Sequence, residues 1–128
     1  MGKTLIVDDE EDMRFLLRMT IDIANRGLRV VGEASSGGEA IALRQGLDLD
    51  VIVMDQRMPG MSGLEAATTL LAEEPDLPIV LYSAFVTDDV AEEARRVGVR
   101  RCVKKGDTAG LISALRELTG SGLGEKPA

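Results

Sequence analysis

The 128-residue sequence contains no histidine and a single cysteine, Cys102. The missing histidine removes histidine nucleophiles, general bases and metal ligands from consideration. Zinc is a poor fit, because Cys102 is the one soft ligand the chain offers. A lone thiol forms no internal disulfide, which favours a reducing compartment. Aromatics are limited to Phe15, Tyr82 and Phe85, too few for a base-stacking platform. The net charge is −7, which argues against nucleic-acid contact by the chain as a whole. No apolar run approaches a bilayer span, and Met1-Gly2-Lys3-Thr4 leads directly into a strand pattern without a signal-peptide signature. No membrane contact is expected, and the expected location is cytoplasmic.

The length suits one domain that buries roughly two thirds of the surface its unfolded chain exposes. Strand and helix patterns alternate. Strands are expected at Thr4–Val7, Arg29–Ala34, Val51–Met54, Leu77–Tyr82 and Arg101–Val103, and Val51–Met54 is the most apolar and so central. Met13, Leu16, Leu17, Thr20, Ile21 and Ala24 recur at helical spacing, with Gly27 as the expected stop. Ser36 with Glu39, and Ser62 with Glu65, have the spacing of capping boxes, the first opening a helix to about Gly46. Thr87–Val97 reads as a helix stopped by Gly98, and Leu111, Ile112, Leu115 and Leu118 mark a last amphipathic helix. Five βα units predict a doubly wound parallel sheet covered by helices on both faces. Domain limits follow: 1–119 as one domain, and Gly-rich 120–128 as a flexible tail or the start of a linker.

Polar residues close four of the five strands. Leu5-Ile6-Val7 runs into Asp8-Asp9, and Val51-Ile52-Val53-Met54 runs into Asp55. The fourth strand ends at Ser83 and the fifth at Lys104-Lys105. In open parallel sheets, functional groups gather at the C-terminal ends of the strands. If the first and third strands are neighbours, three carboxylates crowd one crevice and need a cation or a proton to coexist. Asp is a competent nucleophile for an acyl phosphate, and a carboxylate-held magnesium ion neutralises phosphoryl oxygens. Lysine adds a point charge and serine a donor.

Leu5-Ile6-Val7-Asp8-Asp9-Glu10, the stretch from Asp55 to Glu65, Tyr82-Ser83-Ala84 and the stretch from Gly98 to Lys105 resemble the receiver domain of two-component response regulators. The likeness covers about residues 3 to 119. It implies the flavodoxin-like strand order 2-1-3-4-5 with five helices, an order that puts the crevice between strands 1 and 3. It implies that Asp55 accepts a phosphoryl group from a histidine kinase or phosphotransfer protein. It implies Mg2+, or Mn2+, held by Asp9, Asp55 and the backbone carbonyl of Arg57, with Asp8 acting through water. Ser83 would bind a phosphoryl oxygen. Lys105, seven residues after Gly98, would pair with Asp55 and then with the phosphoryl group; Lys104 reads as a surface charge. The product is a change of conformation that controls an output domain, a partner or pairing with a second copy on phosphorylation. The chain is thus expected to be a signalling module that dephosphorylates itself slowly, not a turnover enzyme.

Several positions depart from the family's habit. Cys102 stands where Tyr or Phe is usual, which removes the aromatic that couples the site to the distal face. Gly106 replaces the usual proline after the lysine, and Ser62 replaces a commoner Asp. Arg57 and Phe85 occupy positions that tune loss of the phosphoryl group, and Phe85 is bulky enough to hinder water. Two rivals are an aspartyl-phosphate phosphatase, whose Asp-x-Asp spacing is absent at Asp8-Asp9, and a phosphorylation-independent interaction domain. The complete Asp9, Asp55, Ser83 and Lys105 set argues against the second.

Overall fold

The computed structural model describes residues 2–120. Its elements alternate as β1 (Gly2–Val7), α1 (Glu11–Ala24), β2 (Leu28–Ala34), α2 (Gly37–Arg44), β3 (Val51–Met54), α3 (Gly63–Glu73), β4 (Ile79–Ser83), α4 (Asp88–Val97), β5 (Arg101–Lys104) and α5 (Thr108–Thr119). All strand pairs are parallel, and the order is β2-β1-β3-β4-β5. This is the flavodoxin-like order expected from the sequence. Of the 120–128 tail, only Gly120 lies within the described residues, where it closes α5 with φ +76°.

Alternation along the strands builds two cores. Leu5, Val7, Ile52, Met54, Ile79 and Leu81 face α2, α3 and α4, while Ile6, Val51, Val53, Val80 and Tyr82 face α1 and α5. β3 is central and buried at all four residues, as a strand covered on both faces must be. Each fully buried Leu or Ile side chain contributes about 2 kcal/mol.

The helix signals held with four corrections. Ser62 and Glu65 form a complete capping box at α3, Thr87 caps α4, and Gly98 stops α4 with φ +108°. At α2 the box is half formed: Ser36 accepts the Glu39 N–H, but the Glu39 carboxylate reaches past it to the N–H and hydroxyl of Ser35. α2 also ends at Arg44 rather than near Gly46. α1 stops at Asn25, not Gly27. Asn25 adopts the left-handed conformation with φ +46°, which asparagine tolerates, and its N–H reaches the Ile21 carbonyl. Leu16 proved exposed although its spacing fits the buried face, which Leu17 and Ile21 occupy.

Candidate phosphoryl-acceptor site

Strand register brings the site together. Val7 pairs with Met54, so the next residues, Asp8 and Asp55, leave the sheet side by side. The Asp55 N–H donates to the Val7 carbonyl at 2.9 Å, and the Asp8 N–H donates to Ala34 at 3.0 Å. Ser83 pairs with Lys104, and the Lys105 N–H donates to the Ser83 carbonyl at 2.9 Å. Backbone pairing alone therefore sets the acids, the serine and the lysine along one edge.

The side chains converge there. One carboxylate oxygen from each of Asp8, Asp9 and Asp55 lies within 4.8 Å of the others. Asp8, Asp55 and Ser83 are buried, and Asp9 is exposed. Lys105 Nζ stands 2.9 Å from Asp8 Oδ2 and 3.4 Å from Asp55 Oδ2. The lysine thus bridges both buried acids, and it is nearer Asp8 than the expected partner Asp55. Asp8 Oδ1 accepts the Glu10 N–H at 2.9 Å, which also shapes the entry to α1. Lys104 is exposed, as alternation predicts.

The electrostatics are unbalanced. Three carboxylates face one ammonium. Burial, then the charge on Asp8, push the Asp55 carboxyl above its usual range, against the opposing pull of Lys105. Burial disfavours the Lys105 ammonium, but the hydrogen bond to Asp8 and the two acidic charges outweigh it, so its net shift is upward. This all-oxygen donor set with excess negative charge fits a hard divalent cation such as Mg2+.

The loop after β3 is pinned by two contacts. A Cβ on Gly63 would overlap the Asp55 carbonyl oxygen. Only glycine lets α3 begin this close to the acid. The Gln56 side chain accepts the Leu64 N–H at 2.9 Å and holds the helix start from the other side. Gln56 was not singled out from sequence, since no local pattern announces a side chain reaching eight residues ahead.

An opening of about 330 Å³ leads to the acids, lined among others by Asp9, Asp55, Arg57, Ser83, Phe85 and Lys105. The Arg57 guanidinium carbon lies 4.0 Å from the centroid of the Phe85 ring. Such a cation–π contact at an exposed site contributes about 0.5–1 kcal/mol. Ser83 Oγ accepts the Phe85 N–H at 3.2 Å, which ties the serine to the same loop. A second contact unseen from sequence lies behind the lysine. The Gly106 N–H donates to the Tyr82 hydroxyl at 3.0 Å. Proline, usual here in the family, has no N–H to donate. No peptide is cis among the described residues, and Gly106 turns with φ +101°. Cys102 is half-buried against the α2–α3–α4 core, and burial pushes its thiol up.

A doubly wound α/β domain with buried acids, a hydroxyl and an ammonium at one sheet edge has the architecture of a receiver module. The family model for the response regulator receiver domain matches residues 4–116. Response regulator GacA of Pseudomonas aeruginosa is 37% identical over 122 residues, covering 92% of this chain and 55% of that protein. Transcriptional regulatory protein LiaR of Bacillus subtilis is 33% identical over 117 residues, covering 91% and 55%. The chain thus spans about half the length of these curated relatives. Among solved structures, the response regulator domain of Thermotoga maritima CheB superposes with a TM-score of 0.86 at 27% identity, covering 94% of this chain and 97% of that one. Response regulator TrrA of Thermotoga maritima, solved in complex with Mg2+ and BeF, gives 0.81 at 27% identity, covering 92% and 99%. The chain belongs to the response regulator receiver domain family and is a receiver domain of two-component signalling. Among the described residues, no helix is long and apolar enough to cross a membrane.

Proposed function

We propose that Asp55 is the phosphoryl acceptor and that Asp8, Asp9 and Lys105 prepare it. The carrying observation is the crevice itself: three carboxylates within 4.8 Å, two of them buried, bridged by one lysine. Asp9, Asp55 and the Arg57 carbonyl would hold Mg2+, with Asp8 contributing through water, and the ion, or Mn2+ in its place, would supply positive charge to offset that of an incoming phosphoryl group. An Asp55 carboxylate oxygen attacks the phosphorus of a phosphohistidine on a histidine kinase or phosphotransfer protein. The phosphorus–nitrogen bond breaks, the imidazole nitrogen keeps the electron pair, and an acyl phosphate remains on Asp55. Lys105 then turns from the carboxylates to the new oxygens, and Ser83 donates its hydroxyl to one of them in place of its present contact with the Phe85 N–H.

The response is a shift between two conformations that changes affinity for an output domain, a partner or a second copy. A few kcal/mol of differential stabilisation suffices. Because Cys102 cannot sweep an aromatic's volume, movement of the Ser83–Phe85 loop carries the signal. The module turns over no substrate of its own beyond slow self-dephosphorylation, and it acts in the cytoplasm. The Arg57–Phe85 stack hinders the water that hydrolyses the acyl phosphate, which makes the phosphorylated state long-lived.

The test is direct. Incubation with a small phosphodonor and Mg2+ should add one phosphoryl group by intact mass, labile to hydroxylamine. Chelation should prevent it, and Asp55→Asn should abolish it. A variant that still gains the group would move the acceptor elsewhere. Phe85→Ala should speed decay of the acyl phosphate several-fold; unchanged decay would reject the hindering role.

A further inference from the structure

Arg14 sits where elementary electrostatics does not favour a cation. It is the fourth residue of α1, near the positive end of the helix dipole. It also lies within hydrogen-bond reach of the loop whose acids fit a divalent cation, so both fields oppose its charge. What keeps it there is a set of directed contacts. Its Nη1 donates to the Asp8 carbonyl at 2.6 Å, and its Nε donates to Glu33 Oε1 at 3.1 Å. Arg18, one turn on, donates from Nε to Glu33 Oε2 at 2.8 Å. The Glu33 carboxylate thus holds one arginine on each oxygen, and only 15% of the Arg14 side chain is exposed.

These contacts end on the backbone of the acidic loop. Glu33 and Ala34 are consecutive residues of β2, the edge strand beside β1. The Asp8 N–H donates to the Ala34 carbonyl, and the Asp8 carbonyl is tied through Arg14 to Glu33. Both ends of the Asp8 backbone are therefore anchored to β2. The consequence falls on Asp9. The Asp8 carboxylate is held by the Glu10 N–H and Lys105, and that of Asp55 by the Gln56 N–H and Lys105. Among the described residues, the Asp9 carboxylate has no such partner. Its direction is set by its own backbone, which begins at the Asp8 carbonyl that Arg14 holds.

We propose that Arg14 is a positioning residue for the divalent-cation site: it fixes the Asp8–Asp9 peptide, and through it the exposed Asp9 carboxylate, while Glu33 aims the guanidinium. The inference rests on the reading that Asp8, Asp9 and Asp55 hold the cation, and extends it to a residue that offers the cation no ligand. A planar guanidinium meets both acceptors at once, whereas an ammonium on a flexible stem does not hold the two in fixed relation. Partners that orient a metal's ligands commonly change its affinity tenfold or more when lost. Charge alone predicts the opposite sign, since deleting a cation near the site should tighten the binding of Mg2+. That opposition of signs makes the role measurable.

Calorimetric titration of the whole chain with Mg2+, with no phosphodonor present, is the test. Arg14→Met should weaken binding about tenfold, and Arg14→Lys, which keeps the charge but not the fork, should fall within about threefold of that variant. Arg18→Met removes an ion pair from the same carboxylate without touching the loop. It should stay within about twofold of wild type, which controls for lost stability. An Arg14→Met variant that binds Mg2+ as well as wild type or more tightly overturns the positioning role and leaves the acids as the cation's ligands. So does an Arg14→Lys variant indistinguishable from wild type, or an Arg18→Met variant weakened as much as Arg14→Met. A wild type that takes up no Mg2+, or one whose uptake survives Asp9→Asn unchanged, overturns the reading of the acids and the role of Arg14 with it.

Discussion

The C-terminal edge of the sheet and the outer face of α1 break the usual sorting of side chains in opposite directions. At the sheet edge, Asp8 and Asp55 are buried and share one lysine. On α1, Phe15, Leu16, Met19 and Ile23 face solvent. The difference lies in what holds each exception in place. The acids are held by strand register, because Asp8 and Asp55 must follow Val7 and Met54. Their presence therefore strains the folded state itself. The α1 stripe hangs on a helix already anchored by Leu17 and Ile21, so it loads the surface without straining the core. Changes at the edge should move stability, while changes on the outer face of α1 should leave it nearly unchanged.

The largest break in that comparison is Lys105→Met. Removing the ammonium leaves two buried carboxylates without their shared partner, and breaking a buried pair from one side is strongly destabilising. A loss of about 3 kcal/mol is expected from urea unfolding at neutral pH without divalent ions. Added Mg2+ should restore part of it. A change below about 0.5 kcal/mol would mean that the acids are better solvated than their burial implies.

Asp55→Asn should act with the opposite sign. The Asp55 carboxyl titrates above its unfolded value because of burial and the Asp8 charge. Ionisation at neutral pH is therefore easier in the unfolded chain, and the charged residue destabilises the fold. Asparagine removes that charge at nearly constant shape. A gain of about 1 kcal/mol is expected without Mg2+. The gain should shrink as pH falls through the raised folded pKa, because the wild-type carboxyl then takes up its proton first in the folded state. Mg2+ should also shrink it, since the ion stabilises only the wild-type carboxylate. A variant less stable than wild type in chelator would overturn the strained-edge account.

Much of this edge was legible because it follows from local order. Apolar runs ending in Asp8-Asp9 and Asp55 needed only parallel neighbours to become a cluster, and β1 and β3 are such neighbours. Ser62 and Glu65 announced α3 by spacing alone. Besides the reach of Gln56, three further features were not legible, each for a physical reason. Lys105 sits nearer Asp8 than Asp55, a preference set by side-chain reach across three strands. Leu16 shares its periodicity with the buried residues, and on a helix apolar over most of its circumference, spacing does not say which side faces out. The Tyr82–Gly106 bond joins residues 24 apart in sequence through a turn that no motif describes.

That bond gives a smaller prediction within the strained edge. Tyr82→Phe leaves the Gly106 N–H without its acceptor in a partly buried turn, directly after Lys105. A loss of about 1 kcal/mol is expected, together with faster hydrogen exchange at the Gly106 amide. If exchange there is unchanged, the turn is held by its backbone and not by the tyrosine.

The smallest expected effect sharpens the comparison most. Met19 lies on α1 with solvent on its outer side, and its neighbours toward the core, Leu17 and Ile21, are untouched by its replacement. Methionine and glutamine have similar length and similar helix propensity. Met19→Gln should therefore shift the unfolding free energy of the dilute monomer by less than about 0.5 kcal/mol. Urea unfolding of wild type and variant measures the difference. A loss above about 1 kcal/mol would place Met19 in the core after all. An unchanged free energy leaves the strain of this fold concentrated at the acids.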